Sequence, residues 1–314
     1  MPSPVAIFVY NRVDNTRATL RALLANTLAP QTDVFVFSDG GKDEQSWKQV
    51  NAVRRLLREV AEEVAQIHGF QSFSVVERKE NIYLERNITE GIAEVLSQHE
   101  TVIVLEDDIV TSPYYLQYMN EAFALYRDVP QVMHVAGFTN LKLSQSEWGD
   151  FYFTPHMSGW GWGTWRDRWN QHFRHYQTEA EALEGMTSAD MDAMQYGGVF
   201  PCLKSLKKNP IPWDICWEIA IYKAHGLCLT PAQTMVRNIG LSSGTHFRAF
   251  RILQRYEFDR EPLQRPLQLK KVAPAANPEI ERLFAEAIRD WGIRYTWLGK
   301  LVRPIYRALK RKKD

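Results

Sequence analysis

Cysteine is scarce in this chain: among 314 residues only Cys202, Cys216 and Cys228 occur, an odd set with no Cys-x-x-Cys pair. That argues against a disulfide framework or a zinc site and fits a reducing compartment. Long apolar runs are also missing, since no stretch approaches the roughly 20 residues that cross a bilayer. The opening run Val5–Tyr10 is too short for a secretory core and has no basic segment before it. It reads as a buried first strand, and a cytoplasmic location is expected. Neither sign of charge is in excess: 38 Lys and Arg against 37 Asp and Glu leave a net +1. The molecule as a whole therefore has no pull toward nucleic acid, which is not expected as a partner, and any attraction to a membrane must come from a local patch. With 45% hydrophobic and 24% charged residues, and no internal repeat, the composition is that of a globular protein.

What is present begins with an alternation of strand and helix signals. Val5–Tyr10, Val34–Phe37, Phe73–Val76 and Val102–Leu105 are short β-rich runs. Between them the spacing of apolar residues predicts helices over Thr16–Asn26 (behind Asp14 and Asn15 as candidate caps), Trp47–His68 and Ile88–Gln98. This order predicts an α/β fold with a central, mostly parallel sheet flanked by helices. Ligands of such sheets sit beyond the carboxyl ends of the strands. Those ends carry Tyr10-Asn11-Arg12, Ser38-Asp39-Gly40-Gly41 and Glu106-Asp107-Asp108, three polar clusters expected to converge on one edge.

The second half differs in character. Trp160, Trp162, Trp165 and Trp169 crowd a segment rich in glycine and tyrosine. Residues 186–209 read as helical with interruptions at Gly197-Gly198 and Pro201, and Pro212-Trp213-Asp214 leads into a helix through Ala224. Residues 260–278 have the composition of a linker. From Leu298 onward Leu301, Val302, Ile305 and Leu309 form an apolar stripe, with Lys300, Arg303, Arg307 and Lys310–Lys313 around it and Pro304 interrupting. That is the pattern of an interfacial helix drawn to an anionic membrane surface, or of a docked helix with a solvated tail. The expected division is a nucleotide-binding half over 1–125, an acceptor-binding and catalytic half of the same domain over 126–259, and a linker with a basic C-terminal helix over 260–314.

Three consecutive carboxylates at the end of a buried strand repel one another by several kcal/mol at short range unless a cation or solvent offsets the charge (order of magnitude). A hard dication with oxygen ligands, Mn²⁺ or Mg²⁺, removes that penalty and keeps positions open for phosphate oxygens. A solvated acidic turn at a helix start is the plainer alternative.

The succession of strands ending in Asn-Arg, Ser-Asp-Gly and Leu-Glu-Asp-Asp resembles the GT-A fold of glycosyltransferases, with Glu106-Asp107-Asp108 as a form of its Asp-x-Asp motif. The triplet is closest to the Glu-Asp-Asp version of the N-acetylglucosaminyltransferase that starts complex N-glycan branches. Trp-Gly-Trp-Gly-Thr-Trp at 160–165, Trp213-Asp214 and the stretch from Asn238 to His246 are shared with bacterial surface-polysaccharide glycosyltransferases. The resemblance spans roughly residues 4 to 250, and its motifs are specific in combination rather than singly. It implies metal-dependent transfer of a sugar from a nucleotide-diphosphate donor, UDP-linked for preference, to a saccharide or lipid-linked acceptor with inversion.

By that resemblance Asp39 binds the base and ribose, Tyr10, Asn11 and Arg12 lie beside the nucleotide, and Glu106 and Asp107 reach the donor. Asp108 is then the direct metal ligand with His246 as a second, and Arg86 faces the phosphates. Trp160 and Trp162 form an acceptor wall, since aromatic faces pack on pyranose rings. Asp214 is the base that takes the acceptor hydroxyl proton, with Glu218 as the alternative. The family segment is Trp-Asp-Asp-Trp, whereas this chain has Trp213-Asp214-Ile215-Cys216-Trp217. Bland roles stand beside these: Asp39 as a turn residue, Arg12 and Arg86 as surface charges, Asp214 as a helix cap, the tryptophans as core, and His246 as a hydrogen-bonded structural residue. Two other functions stand as alternatives. A nucleotidyltransferase needs a glycine-rich phosphate loop that Val9–Val13 lacks, and a non-catalytic carbohydrate-binding protein leaves the strand-end charges unexplained.

Overall fold

The computed structural model describes residues 1–240 and 259–289; the loop with Thr245 and His246 and the basic tail from Leu298 lie outside the described residues. In the first half, β1 (Val5–Val9), β2 (Asp33–Ser38), β3 (Ser72–Glu77) and β4 (Thr101–Glu106) alternate with α1 (Val13–Leu24), α2 (Glu44–Ile67) and α3 (Tyr83–Leu96). The acidic turn leads to β5 (Ile109–Thr111) and α4 (Tyr115–Tyr126), then β6 (Val132–Ala136) and α5 (Gln145–Trp148). Next come β7 (Phe151–Thr154), β8 (Trp162–Trp165), α6 (Arg166–His172), α7 (Glu179–Leu183) and α8 (Ser188–Met194). The chain continues through α9 (Trp213–Lys223), β9 (Leu227–Pro231) and β10 (Val236–Asn238), and residues 278–289 are helical.

The main sheet has 8 strands in the order β3-β2-β1-β4-β8-β6-β9-β7. From the pairings, β3, β2, β1, β4, β6 and β9 run one way, while β8 and β7 run against them. A mostly parallel sheet of this kind must be covered on both faces, and β1 shows how. Val5, Ile7 and Val9 pack among residues of α1, α2 and α4, while Ala6 and Phe8 point the other way onto Ile88 and Ile92 of α3. Each such side chain contributes about 1.5–3 kcal/mol when fully buried. Among the described residues no helix is long and apolar enough to cross a membrane.

Several boundaries move for local reasons. The first helix begins at Val13 rather than Thr16, with Arg12 at its N-cap and no side-chain cap, so Asp14 falls in the first turn. The third begins at Tyr83 rather than Ile88, which puts Arg86 inside it. The helix expected over 186–209 breaks after α8, where Gly197 and Gly198 take φ of 63° and 86°. The segment after 259 is bound to the domain rather than free. Arg260 donates to the carbonyls of Asn140 and Leu141 at 2.6 Å, Arg265 pairs with Asp150 at 2.8 Å, and Ser112 Oγ donates to the Leu263 carbonyl at 2.5 Å.

The tryptophan-rich segment is strand rather than exposed wall. β8 lies between β4 and β6, so both its faces are covered. Gly163 sits where a Cβ would come 2.5 Å from the Val102 carbonyl oxygen and 2.6 Å from the Phe123 ring, so only glycine fits. Trp162 is fully buried between the rings of His134 (5.0 Å, 12°) and Trp213 (5.2 Å, 13°). This corrects its expected place in an acceptor wall: no face of its ring is open. Trp165 and Trp169 are core as well. Trp162→Ala is expected to cost about 3–5 kcal/mol in a denaturant titration, against less than about 1 kcal/mol for Trp160→Ala at the half-exposed end of the loop. Equal losses would contradict this partition.

Candidate active site

The carboxyl ends of β1, β2 and β4 open into one cleft of about 2270 Å³, lined by Arg12, Asp39, Glu106, Asp107 and Asp108 from the first half and by Trp160 and Asp214 from the second. The strand-end clusters therefore meet, as the topology requires.

Arg12 organises the acidic turn. Its guanidinium bonds both oxygens of Asp107 and reaches Asp108 Oδ2 at 2.9 Å. Burial opposes the charge on Arg12, but Asp107 and Asp108 outweigh it and raise its pKa. The carboxylates remain poorly solvated. Burial lifts Asp107 to about 6, with Arg12 pulling it down and Asp108 pushing it up. Burial, then the charges of Asp108 and Asp107, lifts Glu106 to about 8. Asp214 adds least to that rise, and the start of α9 lines the same cleft as the triplet. Gly240 closes the other side: the Ile239 N–H donates to the Asp108 carbonyl at 2.9 Å, and a Cβ on Gly240 would lie 2.0 Å from Asp108 Oδ2. The strand that ends Asn238-Ile239-Gly240 thus packs its backbone directly on the carboxylate.

Asp39 is both turn residue and cleft residue. Its Oδ1 accepts from the N–H groups of Gly40 (2.8 Å) and Ile82 (2.9 Å), and its Oδ2 accepts from Asn81 Nδ2 at 2.8 Å. Beneath it Arg54, buried, donates to Ser38 Oγ at 3.2 Å and to the Arg78 carbonyl at 2.7 Å, tying the β2 and β3 ends together. Lys42 Nζ stands 4.7 Å from the Tyr83 ring and 5.9 Å from that of Tyr10, a cation between two aromatic groups at the rim. Neither Arg54 nor Lys42 was singled out by sequence, because their partners are far along the chain. Asn11 Nδ2 donates to Gln49 at 2.8 Å, and Arg86 is exposed and paired with Glu90 at 2.5 Å along its own helix. Both line the cleft.

The second wall is the first turn of α9. Pro212 holds the N-cap position, so Asp214 is not the cap. Glu85 of α3 caps the helix instead, its Oε2 accepting the Trp213 N–H at 2.7 Å. Asp214 opens onto the cleft while the surrounding walls raise its pKa; the Ile215 N–H and Lys208 counter that rise, and Glu218 adds to it. Glu218, one turn on, is buried and fully engaged. Its oxygens meet His156 Nδ1 at 2.5 Å and the Met157 N–H at 2.9 Å. This corrects its place as the alternative base: neither oxygen is available to a hydroxyl. Trp160 lines the cleft and meets Phe138 edge-on at 4.6 Å. Phe284, from the helix over 278–289, also lines it, so the segment expected as a linker and tail supplies part of the wall.

The expected metal is a separate matter. Carboxylate oxygens suit a hard dication, but among the described residues no three His, Cys, Asp or Glu side chains stand together to hold one. The guanidinium of Arg12 bridges Asp107 and Asp108, and His246 lies outside the described residues. As arranged, the guanidinium of Arg12 occupies the place between the two aspartates.

Residues 5–177 match the family model described as Glycosyl transferase family 2. No curated protein matches the chain. Among solved structures it is similar to the mannosyltransferase PcManGT from Pyrobaculum calidifontis in complex with GDP-Man and Mn²⁺, at 14% identity and TM-score 0.41, over 72% of this chain and 76% of that one. It is also similar to S. aureus TarS 1-349, at 11% identity and TM-score 0.42, over 74% of this chain and 59% of that one. TarS 1-349 in complex with UDP-GlcNAc is matched at 12% identity and TM-score 0.39, over 58% of this chain and 51% of that one.

The raised pKa of Glu106 has a stability consequence. Below about pH 8 the folded chain keeps a proton on Glu106 that the unfolded chain releases above its ordinary pKa of 4.5. Stability is therefore lost as pH rises across that window. Glu106→Gln, which cannot ionise, is expected to raise the melting temperature by about 3 °C more at pH 8.5 than at pH 5. A pH-independent shift would show that the carboxyl is not strained.

Proposed function

Because the chain belongs to glycosyl transferase family 2 and is a glycosyltransferase, we propose that it moves a sugar from a UDP-linked donor to a saccharide or lipid-linked saccharide acceptor with inversion at the anomeric carbon. The observation that carries this reading is that Asp214 and the Arg12-bridged strand end line one cleft. A single carboxylate opposite the donor is what in-line displacement needs. The acceptor hydroxyl gives its proton to Asp214 as its oxygen bonds to the anomeric carbon, and the bond from that carbon to the nucleotide diphosphate breaks. The raised pKa of Asp214, which is exposed to the cleft, brings it closer to the acidity a general base needs at neutral pH.

The donor half acts by binding and charge. Asp39, an acceptor already held by three N–H donors, suits an N–H of the base or a ribose hydroxyl. Arg12, poised between the cleft and two carboxylates, suits the departing diphosphate. Asp107 reaches toward ribose or donor sugar, Tyr10, Asn11 and Arg86 border the nucleotide, and Trp160 offers a face to the acceptor. A divalent cation, Mn²⁺ or Mg²⁺, would be held by Asp108 together with the donor's phosphate oxygens, in exchange for the Arg12 contact that carboxylate now makes. Attachment to the inner face of a membrane through the stripe from Leu298 is supported by the sequence pattern alone.

Asp214→Asn is expected to lower kcat by about 10²–10⁴-fold while leaving the Kd for UDP within about twofold of wild type. Calorimetry across UDP, GDP and dTDP, each with and without Mn²⁺, reads base choice and metal dependence together. Retained turnover in Asp214→Asn, or no nucleotide binding under any condition, overturns the proposal.

A further inference from the structure

The Glu218–His156 pair has no part in the transfer step above, yet it is built like a functional dyad. Glu218 accepts at one oxygen from His156 Nδ1 (2.5 Å) and at the other from the Met157 N–H (2.9 Å). With a carboxylate on Nδ1, that nitrogen carries a ring proton and Nε2 is left as the outward hydrogen-bonding atom. Nε2 has no hydrogen-bond partner among the described residues, and His156 lines the cleft although it is only 4% exposed. The ring is clamped. Phe284 stacks on it at 5.3 Å with the planes 8° apart, Tyr196 lies tilted at 4.8 Å and Phe200 meets it edge-on at 5.5 Å. Three rings fix one imidazole whose outer nitrogen has no hydrogen bond among the described residues.

A second polar atom in the same cleft is also unmatched. Thr230 Oγ1 is buried without a hydrogen-bond partner, and Thr230 lines the cleft. It sits opposite Tyr152 in the β9–β7 pairing, on the strand that leads through Thr154 to His156. Buried polar atoms without partners cost stability unless something binds them.

Position identifies what does. Asp214 and Glu218 stand one turn apart on α9, about 5–6 Å between their Cβ atoms, which is the span of one sugar ring. Asp214, His156 and Thr230 all line one cleft, so a ring whose reacting hydroxyl meets Asp214 has its other hydroxyls facing the same space. The chemistry agrees: two uncharged hydrogen-bonding atoms beside the Phe284 ring suit a neutral hydroxylated ring. Glu218 and Glu281, the latter bonded by the Tyr196 hydroxyl, disfavour a phosphate or carboxylate there. We propose that His156 Nε2 and Thr230 Oγ1 recognise non-reacting hydroxyls of the acceptor sugar, with Glu218 as a positioning residue. The proposal rests on Asp214 as the base that faces the acceptor.

The test is saturation-transfer NMR titration of the full chain with the methyl glycosides of glucose, galactose, mannose and N-acetylglucosamine, with and without UDP. Monodeoxy analogues of the tightest binder follow. Removing one particular hydroxyl is expected to weaken binding to wild type about fivefold to tenfold. His156→Asn keeps an amide N–H for Glu218 but lacks Nε2, and is expected to be indifferent to that hydroxyl. His156→Gln sets a polar atom near the Nε2 position and restores part of the dependence, and UDP affinity stays unchanged in both variants. Binding of none of the glycosides, a flat deoxy series in wild type, or the same hydroxyl dependence in wild type and His156→Asn overturns the proposal. Should His156→Asn fail to fold, the wild-type deoxy series and His156→Gln decide alone. Turnover by Asp214→Asn sinks the base assignment instead, and is read in a separate assay.

Discussion

Three carboxyl groups closing one buried strand, two of them bridged by a single guanidinium, set the terms for the rest of this structure. Glu106, Asp107 and Asp108 are poorly solvated, and burial leads the list of forces that raise Glu106 and Asp107. Arg12 can reach two of them because β1 and β4 are hydrogen-bonded neighbours in parallel, so the turns that follow them emerge side by side. The same proximity demands Gly240, whose backbone lies against Asp108 with no room for a side chain. Charge placed this way is costly in the free chain and becomes useful when a ligand of suitable charge or hydrogen-bonding pattern shares it.

Facing that edge, α9 serves as a rigid ruler. Its N-terminus is held by Glu85 from α3, which joins the two halves of the domain at the cleft. Its first two turns present Asp214 to the cleft and Glu218 to His156. Behind it a stack of Trp162, Trp213, Trp217 and Trp169 fixes the helix on the sheet. Aromatic packing thus sets the distance between the two walls of the cleft, while the polar groups lie at the surface of that packing. The segment from 259 onward adds to the same wall by bringing Phe284 over His156.

How much of this was legible beforehand depended on range. The first four strands and their helices follow from periodicity, because each β-rich run and amphipathic stripe is encoded within a dozen residues. The convergence of Arg12, Asp39 and the acidic triplet followed from topology alone. The second half resisted. Trp162 reads equally as ligand wall or core until β8 is known to lie between β4 and β6. Glu218 looked like a free acid because His156, far away in sequence, gives no local sign of claiming it.

Local chemistry written along the chain, then, determined the fold class, the family and the edge of the sheet where charge collects, since strand periodicity and strand-end residue types act over short distances. Only the tertiary structure decided which polar groups are spoken for. Arg12 takes the gap between two aspartates, Glu218 is committed to a histidine, and the N-terminus of α9 is capped from another helix. Such pairings form between residues brought together by sheet order and buried packing, and no spacing along the sequence encodes them.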